Sequence, residues 1–231
     1  MGWLERFKKK GKAAQMPYLY TKKELTAYDN HIRGCYGSYS EVLHEIVSPD
    51  IHLDIVPFPP TKAAPYYKLV TMGAGAYRMN VPAELADDSL EYAEYVLYLP
   101  PNWNIRSSDS VDYWPIGMLK TIARLPVSCD TWLGYEHTIQ ANADASPVAE
   151  NTELNSFLLL PGLDAAGNRC DFRLNEEKYM RFYQVMPLYQ EELDFKMTYG
   201  TEALLERFPA EEFPPIIRPD RKNYGLCDPI K

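Results

Sequence analysis

Glu91-Tyr-Ala-Glu-Tyr-Val-Leu-Tyr-Leu99, followed at once by Pro100-Pro101, is the stretch that decides the fold. Tyr, Val and Leu favour extended backbone, so the run reads as a strand. The double proline stops it, because proline offers no ladder donor. On the N-terminal side, Tyr66–Met72 reads as another strand, closed by Gly73-Ala74-Gly75. Glu41–Val47 and Ile51–Phe58 read as two more, separated by the turn Ser48-Pro49-Asp50. Thr21 through Ile32 reads as a helix. Thr21 and Glu24 make a capping-box pattern, and Leu25, Tyr28 and Ile32 recur at helical spacing. Gly34 and Gly37 end it.

On the C-terminal side, Trp114–Leu125 predicts a second helix, with Pro115 in its first turn and Pro126 as its stop. Thr131–Gln140 reads as a strand and 141–152 as an exposed loop. Ser156–Leu160 and Tyr179–Met186 read as strands, with a Gly167-Asn168 turn between them. Pro187–Tyr199 and Thr201–Phe208 read as helical, before a proline-rich tail with Pro209, Pro214, Pro215 and Pro219. Strict βαβ alternation is absent, so a doubly wound nucleotide fold is not favoured. The pattern predicts an α/β (α+β) sandwich, with a mixed, largely antiparallel central sheet covered by helices.

The chain has 231 residues, 46% of them apolar, and a net charge of −8. That content argues against disorder, and the acidity argues against a sequence-independent nucleic-acid binder. The charge is uneven. Residues 1–23 carry seven basic groups and one acid, leaving 17 basic against 31 acidic side chains, a net −14, on the rest. An acidic body favours basic partners. No segment reaches the roughly 18 apolar residues needed to span a bilayer. Met1-Gly2 resembles a myristoylation start, but Arg6 stands where Ser or Thr is wanted. The four cysteines Cys35, Cys129, Cys170 and Cys227 form no CxxC. With no secretory signal pattern, reduced thiols in a cytoplasm are the default expectation.

Chemistry-bearing motifs are few. Gly73-Ala-Gly75-Ala-Tyr-Arg78 fails the third position of a dinucleotide fingerprint. There is no P-loop and no GxSxG elbow. The one enzymatic candidate is His44, His52 and Asp54. His52 and Asp54 alternate along a strand and so share a face, and two imidazoles with a carboxylate can hold a divalent metal. The other reading is a satisfied structural pair. Glu136-His137, after Trp132 and Tyr135, is a second polar cluster. Neighbours on a strand point to opposite faces, which disfavours a catalytic dyad there. Glu191-Glu192 reads as a solvated helix face.

Several short motifs recur in a familiar order. They are His44-Glu45-Ile46 with Ile51-His52-Leu53-Asp54-Ile55, then Tyr67-Lys68-Leu69-Val70-Thr71-Met72-Gly73. Glu91-Tyr-Ala-Glu94 with Leu97-Tyr98-Leu99-Pro100 and Trp103 follow, then Trp114-Pro115-Ile116-Gly117-Met118-Leu119-Lys120 and Ala123-Arg124. Thr131-Trp132 with His137, and Pro187-Leu188-Tyr189 with Glu191-Glu192-Leu193, close the series. The order resembles the suppressor-of-fused domain family.

That resemblance implies a domain over 31–200, a basic N-terminal segment and helix over 1–30, and a helix and proline-rich tail over 201–231 packed on the same domain. It implies a non-enzymatic, cofactor-free binder of another protein. The family's animal members grip an extended peptide of a Gli-type transcription factor by strand addition. Similar single-domain bacterial proteins act as immunity proteins against secreted toxins, and a chain of this length, with no room for the extra C-terminal domain, resembles those. In the animal members an acidic residue before the histidine aligned with His137 pairs with the peptide. Glu136 fills that position, unless it is a plain surface acid. Leu125 stands where they have tyrosine. The resemblance therefore implies a partner-binding site at Leu125, Trp132, Tyr135, Glu136 and His137, for a peptide segment or a basic toxin.

Overall fold

The Glu91–Leu99 run forms the central strand of a seven-stranded sheet in the computed structural model, which describes residues 16–226. The expectations about the basic N-terminal run, Met1-Gly2 and Cys227 lie outside the described residues. In chain order the elements are α1 (Lys22–Tyr36), β1 (Asp54–Phe58), β2 (Tyr67–Met72), β3 (Tyr92–Leu99) and α2 (Ser110–Cys129). Then come β4 (Thr138–Gln140), β5 (Ser156–Pro161), β6 (Phe172–Arg173), β7 (Tyr179–Leu188), α3 (Gln190–Tyr199) and α4 (Thr201–Leu205). The strands lie in the order β1-β2-β3-β7-β5-β4, with β6 pairing on β7. Only β3 and β7 run parallel, with Tyr95 opposite Tyr183. Every other pairing of these strands is antiparallel. The sheet is thus mixed and largely antiparallel, as the sequence predicts.

Alternation along β3 explains the layers. Tyr95, Leu97 and Leu99 join one apolar cluster with Leu119 and Ile122 of α2. Val96 and Tyr98 join another with Tyr28 and Ile32 of α1. Both faces of the sheet are therefore covered. A third cluster packs Leu158 and Leu160 of β5 with Met186 and Leu188 of β7 against Leu204, Phe208 and Tyr224. Each fully buried side chain of this size is worth about 1.5–3 kcal/mol against exposure. The Thr21–Glu24 capping box forms in both directions at the start of α1.

Five local readings need correction. Glu41–Val47 is not a strand. Only Leu43 pairs, with Ile55, and Ile46 is 97% exposed. Side-chain bonds replace the ladder here: Asp54 accepts the Glu45 N–H at 2.8 Å, and the Glu45 carboxylate accepts the Leu53 N–H. Thr131–Gln140 shortens to β4, because 134–137 form a turn with Glu136 at φ 68°.

Helix α2 begins at Ser110 and runs three residues past Pro126. Pro115 therefore lies inside it, where its missing N–H frees the Val111 carbonyl. Asn151 Nδ2 donates to that carbonyl at 3.0 Å. Pro126 still accepts through its own carbonyl, from Asp130 and Thr131 N–H groups, so the last turn closes behind it. Finally, Pro187 and Leu188 belong to β7, and Glu192 is fully buried rather than solvated.

Candidate protein-binding face

Residues 132–137 form a tight turn ahead of the edge strand β4. Gly134 is required there, since a Cβ would meet the Trp132 ring at 2.6 Å. Glu136 takes a left-handed conformation that few non-glycine residues adopt. Its backbone is held at both ends: the N–H donates to Leu159 O at 2.9 Å, and the carbonyl accepts from Lys196 Nζ at 2.9 Å. The side chain of Glu136 is exposed.

His137 packs edge-on against Trp132, with ring centroids 4.4 Å apart. Its Nδ1 accepts the Gly134 N–H at 3.3 Å, which leaves the neutral ring's proton on Nε2. Burial, with the Lys196 charge adding to it, holds His137 below the usual histidine range. His137 and Trp132 therefore support the turn. Tyr135, 44% exposed, is the residue it presents.

Tyr135 stands between two hollows. One, of about 400 Å³, is walled by Tyr66, Tyr98, Leu163 and Pro215; the other, of about 440 Å³, by Glu136, Glu202 and Glu206. Tyr135, Leu205 and Phe213 line both, so the two are continuous. The face is half aromatic and half acidic, which suits a partner with apolar and basic side chains.

Of the residues expected at the site, Trp132, Tyr135, Glu136 and His137 are brought together by the turn. Leu125 is not. It comes from α2, half-buried; like Trp132 it packs on the α2-side core cluster and lines neither hollow. Glu202, Leu205, Glu206 and Phe213 carry no signal in the sequence that marks them for this face. Glu202 lies on α4 and Glu206 caps its end four residues on, a spacing indistinguishable from an ordinary solvated face.

The His44, His52 and Asp54 cluster also assembles, as a hydrogen-bonded network. Asp54 is 6% exposed. Its Oδ2 accepts from His44 Nδ1 at 2.9 Å, while Oδ1 accepts the Glu45 N–H at 2.8 Å and faces His52 Nε2 at 3.4 Å. Ser48 Oγ donates to Glu45 Oε2 at 2.9 Å, so at 2.7 Å it accepts from His52 Nδ1. Arg124 anchors the far side through Glu45 Oε1 at 2.5 Å and Asp50 Oδ1 at 3.1 Å. The carboxylate is thus bonded to His44 Nδ1 and the Glu45 N–H, while the His52 ring is held through Nδ1 on Ser48. Among the described residues no group of three His, Cys, Asp or Glu side chains is arranged to hold a metal. Glu94, another deeply buried carboxylate, accepts four hydrogen bonds, from Tyr20, Thr71, Gly73 and Gly75, and is a structural hub.

The sequence model of the family described as Suppressor of fused protein (SUFU) matches residues 49–222. An uncharacterised protein of Ureaplasma parvum, UU111, is 26% identical over 196 residues, 84% of this chain and 92% of its own length. A suppressor of fused homologue from Neisseria gonorrhoeae shares the fold with a TM-score of 0.59 at 14% identity, over 88% of this chain and 98% of that one. The crystal structure of a Sufu–Fu complex contains a chain similar at a TM-score of 0.52 and 13% identity, over 83% and 84%.

Proposed function

The chain belongs to the suppressor of fused family, and on that premise we propose that it is a non-enzymatic domain that binds another protein across the Tyr135 face. One observation carries the reading. A supported turn presents Tyr135 and Glu136 at the junction of an aromatic and an acidic hollow, beside the edge strand β4. An edge strand offers backbone groups for strand addition, and the hollows offer pockets for alternate side chains. The Sufu–Fu complex supports a protein partner for this fold.

The finer reading is toxin immunity. Glu136, Glu202 and Glu206 form an acidic lip, which would dock on a basic toxin surface and speed association. Among the described residues no helix is long and apolar enough to cross a membrane, and a cytoplasmic place of action fits neutralisation inside the producing cell. The test is co-expression with the protein encoded beside the gene. Rescue of growth together with co-purification supports immunity. A stable complex without rescue retains protein binding and removes immunity. Capture of no partner by the wild type, under conditions where the fold is intact, counts against the binding reading itself.

A further inference from the structure

Outside that face, one cluster of reactive side chains has no part in binding. Residues His31 and Cys35 lie one turn apart near the end of α1, and both are half-buried. The His31 ring is fixed by stacking on Phe172, with centroids 3.7 Å apart. Its Nε2 is 2.6 Å from the Cys170 carbonyl and 3.4 Å from Cys35 Sγ. A carbonyl can only accept, so the proton sits on Nε2. The Cys35 sulfur facing that same N–H is then an acceptor, which is the role a thiolate fills best. Cys170, fully buried in the segment leading into β6, packs in the same side-chain cluster as Cys35, and its carbonyl and the Cys35 sulfur meet the same ring nitrogen.

The electrostatics agree with the geometry. The Cys170 thiol beside it pulls Cys35 down to about 5; burial opposes this, and His31 adds to it. Burial lowers His31, but its bonds to Cys35 and to the Cys170 carbonyl outweigh that and raise it. Cys170 is pushed up, first by Cys35 and then by burial. The directions set Cys35 as the nucleophile, His31 as the group that donates to it and Cys170 as the thiol that keeps its proton longest.

We propose that Cys35 and Cys170 are a redox pair, in which His31-activated Cys35 attacks a small-molecule disulfide of the glutathione type and Cys170 then closes an intramolecular disulfide. In the first step the Cys35 thiolate attacks one sulfur of the oxidant, its S–S bond breaks, and one small thiolate leaves. Cys35 now carries a mixed disulfide and no charge, so the influence that held the Cys170 proton is gone. Cys170 loses its proton to solvent and attacks the Cys35 sulfur. The second small thiolate leaves and the Cys35–Cys170 bond forms. Two protein thiols are oxidised, one small disulfide is reduced to two thiols, and the two protons end on those thiols. Of the pair, only Cys35 is accessible enough for the first attack, which fixes the order. The product ties α1 to the segment before β6, whose Leu163 and Asp164 wall the aromatic hollow.

The test uses the full chain and oxidised glutathione as the probe, with Cys129, an exposed thiol, as internal comparator. Alkylation of Cys35 by iodoacetamide, read by peptide mass spectrometry at pH 6, is expected to be at least about tenfold faster than that of Cys129. Its pH profile in the wild type should have a midpoint well below 7, and His31→Gln should slow it about tenfold at pH 6. After glutathione disulfide, peptide mapping should show a Cys35–Cys170 cross-link, and Cys170→Ser should stop at the mixed disulfide on Cys35. Equal alkylation of Cys35 and Cys129 at pH 6 overturns the activation. A stable glutathione adduct on wild-type Cys35, with Cys170 still free on unfolding, overturns the pairing.

Discussion

Arg221 closes its guanidinium on both oxygens of Glu192, at 2.6 and 2.5 Å, with the two side chains 5% and 0% exposed. The same carboxylate accepts the backbone N–H of Tyr189 at 3.0 Å and of Tyr224 at 2.8 Å, and Arg221 also donates to Pro187 O at 2.7 Å. One ion pair thus locks the end of β7, the start of α3 and the tail together. Removing one partner strands a buried charge, which costs about 3–5 kcal/mol. We expect Arg221→Met to lose stability on that scale in urea unfolding. Glu192→Gln combined with Arg221→Met should recover part of it, because no uncompensated charge remains. A loss below about 1 kcal/mol for the single variant would show that the tail does not depend on this pair.

Two glycines predict opposite outcomes for the same substitution. Gly73 has φ 126°, and a Cβ there would lie 1.9 Å from the His52 carbonyl oxygen. Its N–H also feeds Glu94 at 2.8 Å. Gly73→Ala should therefore destabilise by about 3 kcal/mol or more, as strained backbone and overpacking combine. At Gly34, inside α1, an added Cβ would meet nothing within 4 Å. Gly34→Ala should stabilise by about 0.5–1 kcal/mol. Thermal melts of the two variants against the wild type check both signs.

His137 and His31 should move stability in opposite directions with pH. His137 is held below the usual 6.5 by burial and by Lys196. Its unfolded state then binds more protons, so its contribution is full above about 6.5 and falls as pH drops through the folded value. His31 is raised, because its hydrogen bonds outweigh burial. Its contribution is full below about 6.5 and is lost as pH climbs through the folded value. NMR titration of the two ring signals should give a midpoint below 6.5 for His137 and above it for His31; the reverse order would refute the assignment. His137→Gln should lose less stability than the wild type between pH 7 and pH 5.

Much of this architecture is legible in the sequence because local signals and burial agree. The β3 run, the Thr21–Glu24 box and the apolar spacing of Leu119 and Ile122 each predict what forms. The failures have physical causes that one-dimensional reading misses. Pro115 reads as a helix start because nothing near it announces that Asn151, far along the chain, supplies a donor to Val111. Glu192 reads as solvated because its partner is Arg221 in a tail without helical period. The site is half legible. The cluster 132–137 is contiguous and can be found, whereas Glu202 and Phe213 reach Tyr135 only after the tail has folded back.

The proposed binding face contains Tyr135 and leaves out Leu125. Tyr135 lines both hollows, while Leu125 packs with the α2-side core and touches neither. A large, rigid, half-exposed tyrosine at the centre of a groove is the kind of residue that dominates binding energy. Tyr135→Ala should therefore weaken the complex with the co-purifying partner by at least about 2 kcal/mol, roughly thirtyfold. Glu136→Lys and Glu202→Lys should act mainly on the association rate, and their effect should shrink as salt is raised. Leu125→Ala should change affinity less than threefold once the variant is shown to be folded, even though it lowers stability. Surface-based kinetics on the four variants at low and high salt separates these expectations. Strong loss at Leu125 with none at Tyr135 would move the binding face to α2, and with it the whole assignment of the acidic lip.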